Sequence, residues 1–192
     1  AENSNQNVYE LLLESAAKAP PRCKGLLWLP NARGTPTNVA TRGAFLGIRE
    51  SHTSSEFIRA IIEGICYETR LRVDRYERLF GKTVKRMVVV GGTSNSTFFT
   101  QLRADVTGRE VEIVKTSEAT CLGAAMLAGI AARTFSDYDS AVSNIQLNRQ
   151  TFTPNESHFQ SYDEYYQHIY LRTASDLQNI DDETANIFPP EE

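Results

Sequence analysis

The chain has 192 residues, of which 41% are hydrophobic, so it can bury a sizeable core and is expected to form one main domain. Its formal net charge of -4 argues against a nucleic-acid partner, because binding a phosphate backbone needs clustered Lys and Arg. Nor does any apolar run approach the roughly 18 residues needed to span a bilayer, which argues against a membrane protein.

The first seven residues contain neither an initiating Met nor the features of a signal peptide, so we expect a fragment or a processed product. The three cysteines, Cys23, Cys66 and Cys121, are widely spaced and lie in apolar surroundings. We interpret them as buried, reduced thiols of a cytoplasmic protein. The sequence lacks the paired ligands of a zinc site, and no metal site is predicted.

Apolar residues at helical spacing predict a first helix from Val8 to Lys18, which Pro20-Pro21 ends. The short apolar run from Gly25 to Leu29 predicts a buried strand. Residues 31–42 are rich in Gly, Pro, Thr and Asn, which predicts an irregular loop.

The segment Thr53-Ser-Ser-Glu56 predicts a capping box that opens the longest helix. The expected buried stripe of this helix consists of Phe57, Ile58, Ile61, Ile62, Ile65, Cys66, Val73 and Leu79. Glu63 falls near that stripe. A catalytic carboxylate is one interpretation, and a structural hydrogen bond is the commoner use of such a residue.

The stretch from Arg86 to Gly108 predicts a strand, a glycine turn and a helix. Met87 to Val90 is a continuous apolar run, typical of a strand that is covered on both faces. Gly91 and Gly92 then remove two side chains where the chain turns. The predicted cap is Ser94, Asn95 or Ser96, and the apolar positions of the helix are Phe98, Phe99, Leu102 and Val106.

A helix N-terminus beside a glycine turn at the carboxyl end of a parallel strand is where α/β proteins bind anionic ligands. A purely structural turn is the alternative interpretation. We interpret the Gly-Gly stretch as a nucleotide site.

Val111 to Val114 predicts a further strand, after which Ser117 is expected to cap a helix that has Glu118 in its first turn. The small residues of that helix suit close packing and ligand contact equally well; they are Gly123, Ala124, Ala125, Ala128 and Gly129.

Thr153-Pro-Asn-Glu156 predicts a second capping box, with proline at the first helical position. An aromatic stripe on the helix that follows indicates a docking face. The stripe consists of Phe159, Tyr162, Tyr166, Ile169, Tyr170 and Leu177. A disordered acidic tail is expected over 181–192, which leaves 1–180 as the domain.

Three motifs in this order resemble the FGGY family of carbohydrate kinases. The first is similar to the C-terminal signature of that family and consists of Gly43-Ala-Phe-Leu-Gly-Ile, a spacer of seven residues, and Glu56 to Glu63. The Gly-Gly stretch resembles its adenosine motif, and Glu118 to Ala125 resembles the helix that follows. One departure is Arg33-Gly34-Thr35-Pro36, where the family usually has Gly-Glu-Arg before Thr-Pro.

The resemblance implies an actin-like ATPase domain of ribonuclease-H-like α/β fold, with a mixed sheet flanked by helices, as an incomplete C-terminal half of a two-domain kinase. It further implies ATP or ADP with Mg²⁺ as cofactors and a sugar as substrate. The implied nucleotide-binding residues are Gly91, Gly92, Thr93, Asn95 and Ser96.

By the same resemblance, the general base comes from the protein's own N-terminal domain, so no catalytic residue is expected within this chain. The missing first strands of the domain would leave a sheet edge exposed, and that edge could pair with a second copy to form a homodimer.

Leu29-Pro30, Thr35-Pro36 and the run Thr41 to Gly47 look more like the xylulose and gluconate branches than the glycerol branch, which favours a ketopentose or a sugar acid. Two alternatives remain open. The same architecture serves non-catalytic nucleotide-binding regulators, and a degenerate pseudokinase would act as an interaction domain.

Overall fold

The computed structural model describes residues 7–31, 41–114, 118–144 and 148–188. Within these ranges the helices are α1 (Val8–Lys18), α2 (Ser54–Phe80), α3 (Thr97–Thr107), α4 (Ala119–Ala131), α5 (Tyr138–Ser143), α6 (Glu156–Tyr165) and α7 (Leu171–Ile187). The strands are β1 (Leu27–Leu29), β2 (Ala44–Leu46), β3 (Arg86–Val89), β4 (Glu110–Val114) and β5 (Arg149–Phe152).

The strands form two sheets. β1 and β2 pair antiparallel, with Leu27 opposite Leu46. The larger sheet has the order β3-β4-β5, in which β3 and β4 run parallel while β4 and β5 run antiparallel. This confirms the predicted α/β architecture with a mixed sheet.

β3 is an edge strand of the larger sheet, and one of its faces is open. Val88 is 55% exposed, and Val90, which follows the strand, is 48% exposed. The prediction of a strand covered on both faces is therefore wrong for the described chain. The apolar run correctly predicted a strand, but burial of its second face depends on a covering element that local sequence does not specify.

α2 is the longest helix, and α1, β1 and α3 all pack against it. The predicted capping box is confirmed, because Glu56 accepts hydrogen bonds from the backbone N–H and the hydroxyl of Thr53. The predicted buried stripe extends too far, since Leu79 is 77% exposed. Near this end of the helix the contacts are polar, and Arg109 pairs with Asp74 and Glu77 at 2.7 Å each.

α2 approaches β1 closely at Gly64. A Cβ atom at Gly64 would lie under 3.0 Å from the carbonyl oxygen of Trp28 and 3.1 Å from its Cε3 atom. The Trp28 ring packs beside Phe45, with ring centroids 6.1 Å apart, and Phe45 meets Phe57 of α2 edge to face. The absence of a side chain at Gly64 therefore sets the distance between helix and strand.

Glu63 lies inside a buried polar network between α2 and α6. Its carboxylate is 2.8 Å from Arg59 Nε and accepts a hydrogen bond of 2.9 Å from the Tyr162 hydroxyl. It also accepts the backbone N–H of Arg22 at 3.1 Å. Arg22 belongs to a short left-handed turn, Pro21–Gly25, in which three consecutive non-glycine residues have positive φ. These contacts give Glu63 the structural use that was the commoner expectation.

The C-terminal helices dock onto α2 through tyrosines, as the aromatic stripe predicts. A π-helical segment, Tyr166–Tyr170, joins α6 to α7. Three buried tyrosines lie within 6.2 Å of the Tyr67 ring centroid; they are Tyr162, Tyr166 and Tyr170. Ile169 of the expected stripe is 44% exposed.

Two predicted boundaries in this region need correction. Asn155 caps α6 by accepting the N–H of His158, so Pro154 lies before the helix and the expected Thr153 capping box does not form. α7 continues past Asp181 to Ile187, where a disordered tail was expected. The Asp181 carboxylate is buried and accepts the backbone N–H of Arg42 at 2.7 Å, a long-range contact that the acidic composition of the tail does not reveal.

α4 packs mainly against α5, and none of its residues is buried. Cys121 of this helix is therefore exposed, which corrects the expectation of three buried thiols, while Cys23 and Cys66 are buried. The predicted Ser117 cap and the Arg33-Gly34-Thr35-Pro36 loop lie outside the described residues. Within the described ranges, every helix falls short of the length and apolar character that crossing a bilayer requires.

Candidate functional site

The candidate site is the turn that joins β3 to α3. Gly91 follows the strand with φ 88° and ψ -170°, a conformation that side chains disfavour and glycine adopts readily. A short 3-10 turn, Gly92–Asn95, comes next, and α3 begins at Thr97. A Cβ atom at Gly91 or Gly92 would meet nothing within 4 Å. The two glycines therefore present bare backbone to open space.

Two serines hold this turn in shape. Ser94 is buried, and its backbone N–H and hydroxyl both donate to the Gly91 carbonyl oxygen, at 3.0 and 2.6 Å. Ser96 caps α3 by accepting the Phe99 N–H at 3.2 Å, so Ser96 is the cap among the three predicted candidates. Because these hydrogen bonds lie within the turn, they do not cover its outer surface.

The structure brings all five predicted site residues together on this one turn. Four of them are exposed, and Ser96 is half-buried; the exposed four are Gly91, Gly92, Thr93 and Asn95. At the start of α3 the N–H groups of Thr97 and Phe98 have no intrahelical acceptor, because the first turn of a helix always leaves such donors free. Bare backbone and free N–H groups at a helix N-terminus suit an anionic ligand.

Arg103 is a neighbour of the turn that sequence reasoning missed. Its Nη2 atom lies 3.5 Å from Thr93 Oγ1, and its guanidinium lies 4.6 Å from the centroid of the Phe99 ring. The residue is only 6% exposed, and burial lowers the pKa of its guanidinium. The signal was present in the sequence, since Arg103 follows Phe99 by four residues and so lies on the apolar face of α3.

The third motif of the resemblance lies on α4. This helix packs mainly against α5 and makes no extensive contact with the glycine turn. Gly123 of α4 has open space around it. Within the described residues, no group of three or more His, Cys, Asp or Glu side chains could hold a metal ion.

The mixed sheet and its flanking helices form an α/β domain of the actin-like ATPase fold. A model of the FGGY family of carbohydrate kinases, C-terminal domain, matches residues 1–132. The chain belongs to this family and corresponds to its C-terminal domain.

Curated relatives agree with this assignment. A xylulose kinase from Staphylococcus epidermidis is 32% identical over 181 residues, an alignment that covers 90% of this chain and 36% of the relative. A glycerol kinase from Lactobacillus acidophilus is 30% identical over 155 residues, which cover 80% of this chain and 29% of that protein. The chain thus spans about a third of the length of these relatives.

Solved structures show the same likeness. A ligand-bound xylulose kinase from Lactobacillus acidophilus superposes with a TM-score of 0.74 at 25% identity, covering 88% of this chain and 34% of that one. A gluconate kinase from the same organism gives a TM-score of 0.71 at 25% identity, with 89% and 35% covered.

Proposed function

We propose that this chain is the nucleotide-binding domain of an ATP-dependent carbohydrate kinase, which transfers the γ-phosphoryl group of ATP to a sugar hydroxyl. The observation that carries the proposal is the open glycine turn at the carboxyl end of β3, next to the N-terminus of α3. Membership of the FGGY family supports the assignment of the turn to nucleotide.

In this proposal Gly91, Gly92, Thr93, Asn95 and Ser96 hold ATP or ADP. The two glycines allow close approach because a ligand there meets no side chain. ATP supplies the phosphoryl group, and Mg²⁺ accompanies its phosphate oxygens, as is general in phosphoryl transfer. The contribution of this chain is to bind and orient the nucleotide.

The proposed partners of the domain follow from the length of its relatives. Because the chain spans about a third of those kinases, we assign the sugar pocket and the general base to an N-terminal domain of the same polypeptide. We also propose that β3, the edge strand of its sheet, pairs with a second copy in a homodimer. Free thiols fit a reducing compartment, and the cytoplasm is the proposed location.

The substitution Gly92→Val tests the nucleotide site. Gly92 lacks the positive φ of Gly91, and an added Cβ atom meets nothing within 4 Å, so we expect the substitution to leave the free protein folded and to obstruct a ligand. We expect the Kd for ADP, measured by calorimetry on the complete polypeptide, to rise at least about tenfold, or about 1.4 kcal/mol.

Thr83→Val is the matched control, since Thr83 is exposed in the connection between α2 and β3, and its ADP affinity should equal that of the wild type. An unchanged ADP affinity in a folded Gly92→Val variant would contradict the assignment of the nucleotide site to this turn.

We further propose a ketopentose such as xylulose, or a sugar acid, as the substrate. The run from Thr41 to Gly47 supports this choice, as does the similarity to proteins named xylulose kinase. A coupled ADP-release assay of the complete polypeptide with pentuloses, sugar acids and glycerol is the test. Glycerol as clearly the best acceptor would contradict the choice. Retained ADP binding without any sugar-dependent turnover would favour a non-catalytic nucleotide-binding module.

A further inference from the structure

The guanidinium of Arg103 is a buried cation that has no carboxylate partner among the described residues. Its Nη1 atom is buried without a hydrogen bond, and Nη2 makes one long contact, of 3.5 Å, to the Thr93 hydroxyl. The charge rests against the Phe99 ring and near the fully buried Cys66 thiol. A buried charge without a counter-ion is unfavourable, so an arginine in this place needs an explanation.

Other buried arginines of this chain are neutralised by carboxylates. Arg59 lies 2.8 Å from Glu63, and Arg70 pairs with Asp163. Asp105, two residues beyond Arg103, is turned toward α6, where it accepts the Asn155 N–H at 2.9 Å and contacts His158 Nδ1 at 3.0 Å. It therefore does not serve Arg103.

The unpaired charge lies at the turn that carries the proposed nucleotide site. The guanidinium contacts the side chain of Thr93, which is exposed on the surface of that turn. This contact is at the upper limit of hydrogen-bond length. The N-terminus of α3, with its partial positive charge, opens at the same place. Two independent sources of positive potential therefore converge on one exposed loop.

We propose that Arg103 is a phosphate-binding residue of this site: when the Thr93 side chain rotates, the guanidinium donates hydrogen bonds to an anionic oxygen in the phosphate chain of the bound nucleotide. This inference rests on the proposed function and adds to it a residue outside the glycine turn. Arginine suits the role because its planar fork of donors matches phosphate oxygens. The bound phosphate supplies the counter-ion that Arg103 otherwise lacks.

The test compares ADP with adenosine, which lacks the phosphates, in calorimetric titrations of the complete polypeptide. Arg103→Met keeps an unbranched side chain against Phe99 and removes the charge. We expect its Kd for ADP to rise at least about tenfold, equivalent to about 1.4 kcal/mol, with the Kd for adenosine unchanged. Arg103→Lys, which retains a positive charge, should recover part of the loss.

Arg72→Met is the control, because Arg72 is 58% exposed on α2 and pairs with Glu68 within the same helix. Its ADP affinity should match that of the wild type.

Stability without ligand provides a second readout. If Arg103 serves phosphate, Arg103→Met should unfold in urea at a midpoint no lower than the wild type, because it removes an uncompensated charge. A lowered midpoint together with unchanged ADP affinity would overturn the inference and leave Arg103 as a packing residue against Phe99. Loss of ADP affinity in Gly92→Val but not in Arg103→Met would overturn this inference alone, whereas a wild type that binds no ADP would overturn both proposals.

Discussion

Glu56 joins two separate pieces of the chain at the start of α2. Its buried carboxylate accepts the N–H and hydroxyl of Thr53 and forms an ion pair of 2.6 Å with Lys24. The Lys24 ammonium, followed by the Thr53 donors, lowers the pKa of Glu56 from 4.5 to about 2. The carboxylate therefore stabilises the fold in its ionised form.

This shift predicts an acid-dependent loss of stability. The contribution of Glu56 is complete above the unfolded-state pKa of about 4.5 and falls away as the pH drops from there toward about 2, because protonation removes the acceptor. Urea unfolding at pH 6 and pH 3 should show a smaller decrease for Glu56→Gln than for the wild type. Glu164→Gln, exposed on α6, should keep the wild-type dependence, and an equal decrease in all three proteins would contradict the prediction.

The sequence predicted half of this arrangement. A capping box is a local pattern with fixed spacing, so Thr53 and Glu56 identify each other within four residues. Lys24 could not be found in the same way, because it reaches Glu56 through the left-handed turn Pro21–Gly25, which has no glycine at its three positive-φ positions. Arg103 illustrates the same limit, since helical spacing places it on the apolar face but does not show that it lacks a carboxylate.

α2 and β1 are held at a distance that only a glycine at position 64 allows. Gly64→Ala would place a methyl group against the backbone carbonyl of Trp28, which cannot move without shifting the strand. We expect a loss of about 1–3 kcal/mol in the free energy of unfolding, typical of overpacking.

Gly123→Ala is the matched control, because Gly123 also lies inside a helix but has nothing within 4 Å. There alanine should raise stability by about 0.5–1 kcal/mol through helix propensity alone. Equal effects of the two substitutions, measured by urea unfolding, would show that the predicted clash is relieved by movement of β1.

Most helices and strands were predictable from the sequence, whereas the burial of their faces and their exact ends were less so. The apolar run before Gly91 specified a strand, yet its exposed face depends on what lies beside β3. The aromatic stripe specified a docking face, because tyrosines at helical spacing are a local pattern. The end of α7 was missed because a single buried contact, Asp181 to Arg42, spans most of the chain.

The described part of the chain carries the proposed nucleotide turn at Gly91 and Gly92, while its FGGY relatives are about three times as long. The family resemblance assigns the general base and the sugar pocket to another domain, and proximity accelerates a reaction only when both reactants are held. We therefore expect these 192 residues alone to bind nucleotide weakly and to release no ADP in response to sugar.

The measurement is ADP production by the purified chain with ATP, Mg²⁺ and a panel of pentuloses, hexuloses and sugar acids. The complete polypeptide under the same conditions is the positive control. Sugar-dependent turnover of the isolated chain at about 1–100 per second would mean that a complete active site lies within it.

Trp28 is the single tryptophan of the sequence, and it lies in the contact between β1 and α2. Its fluorescence therefore reports the loosening of that contact and carries no direct signal from the glycine turn. If ADP shifts the unfolding midpoint measured by Trp28 fluorescence, the glycine turn and the contact between β1 and α2 must unfold as one cooperative unit. The native tryptophan therefore shows, without an added label, whether stabilisation by a ligand at the turn extends to the contact between β1 and α2.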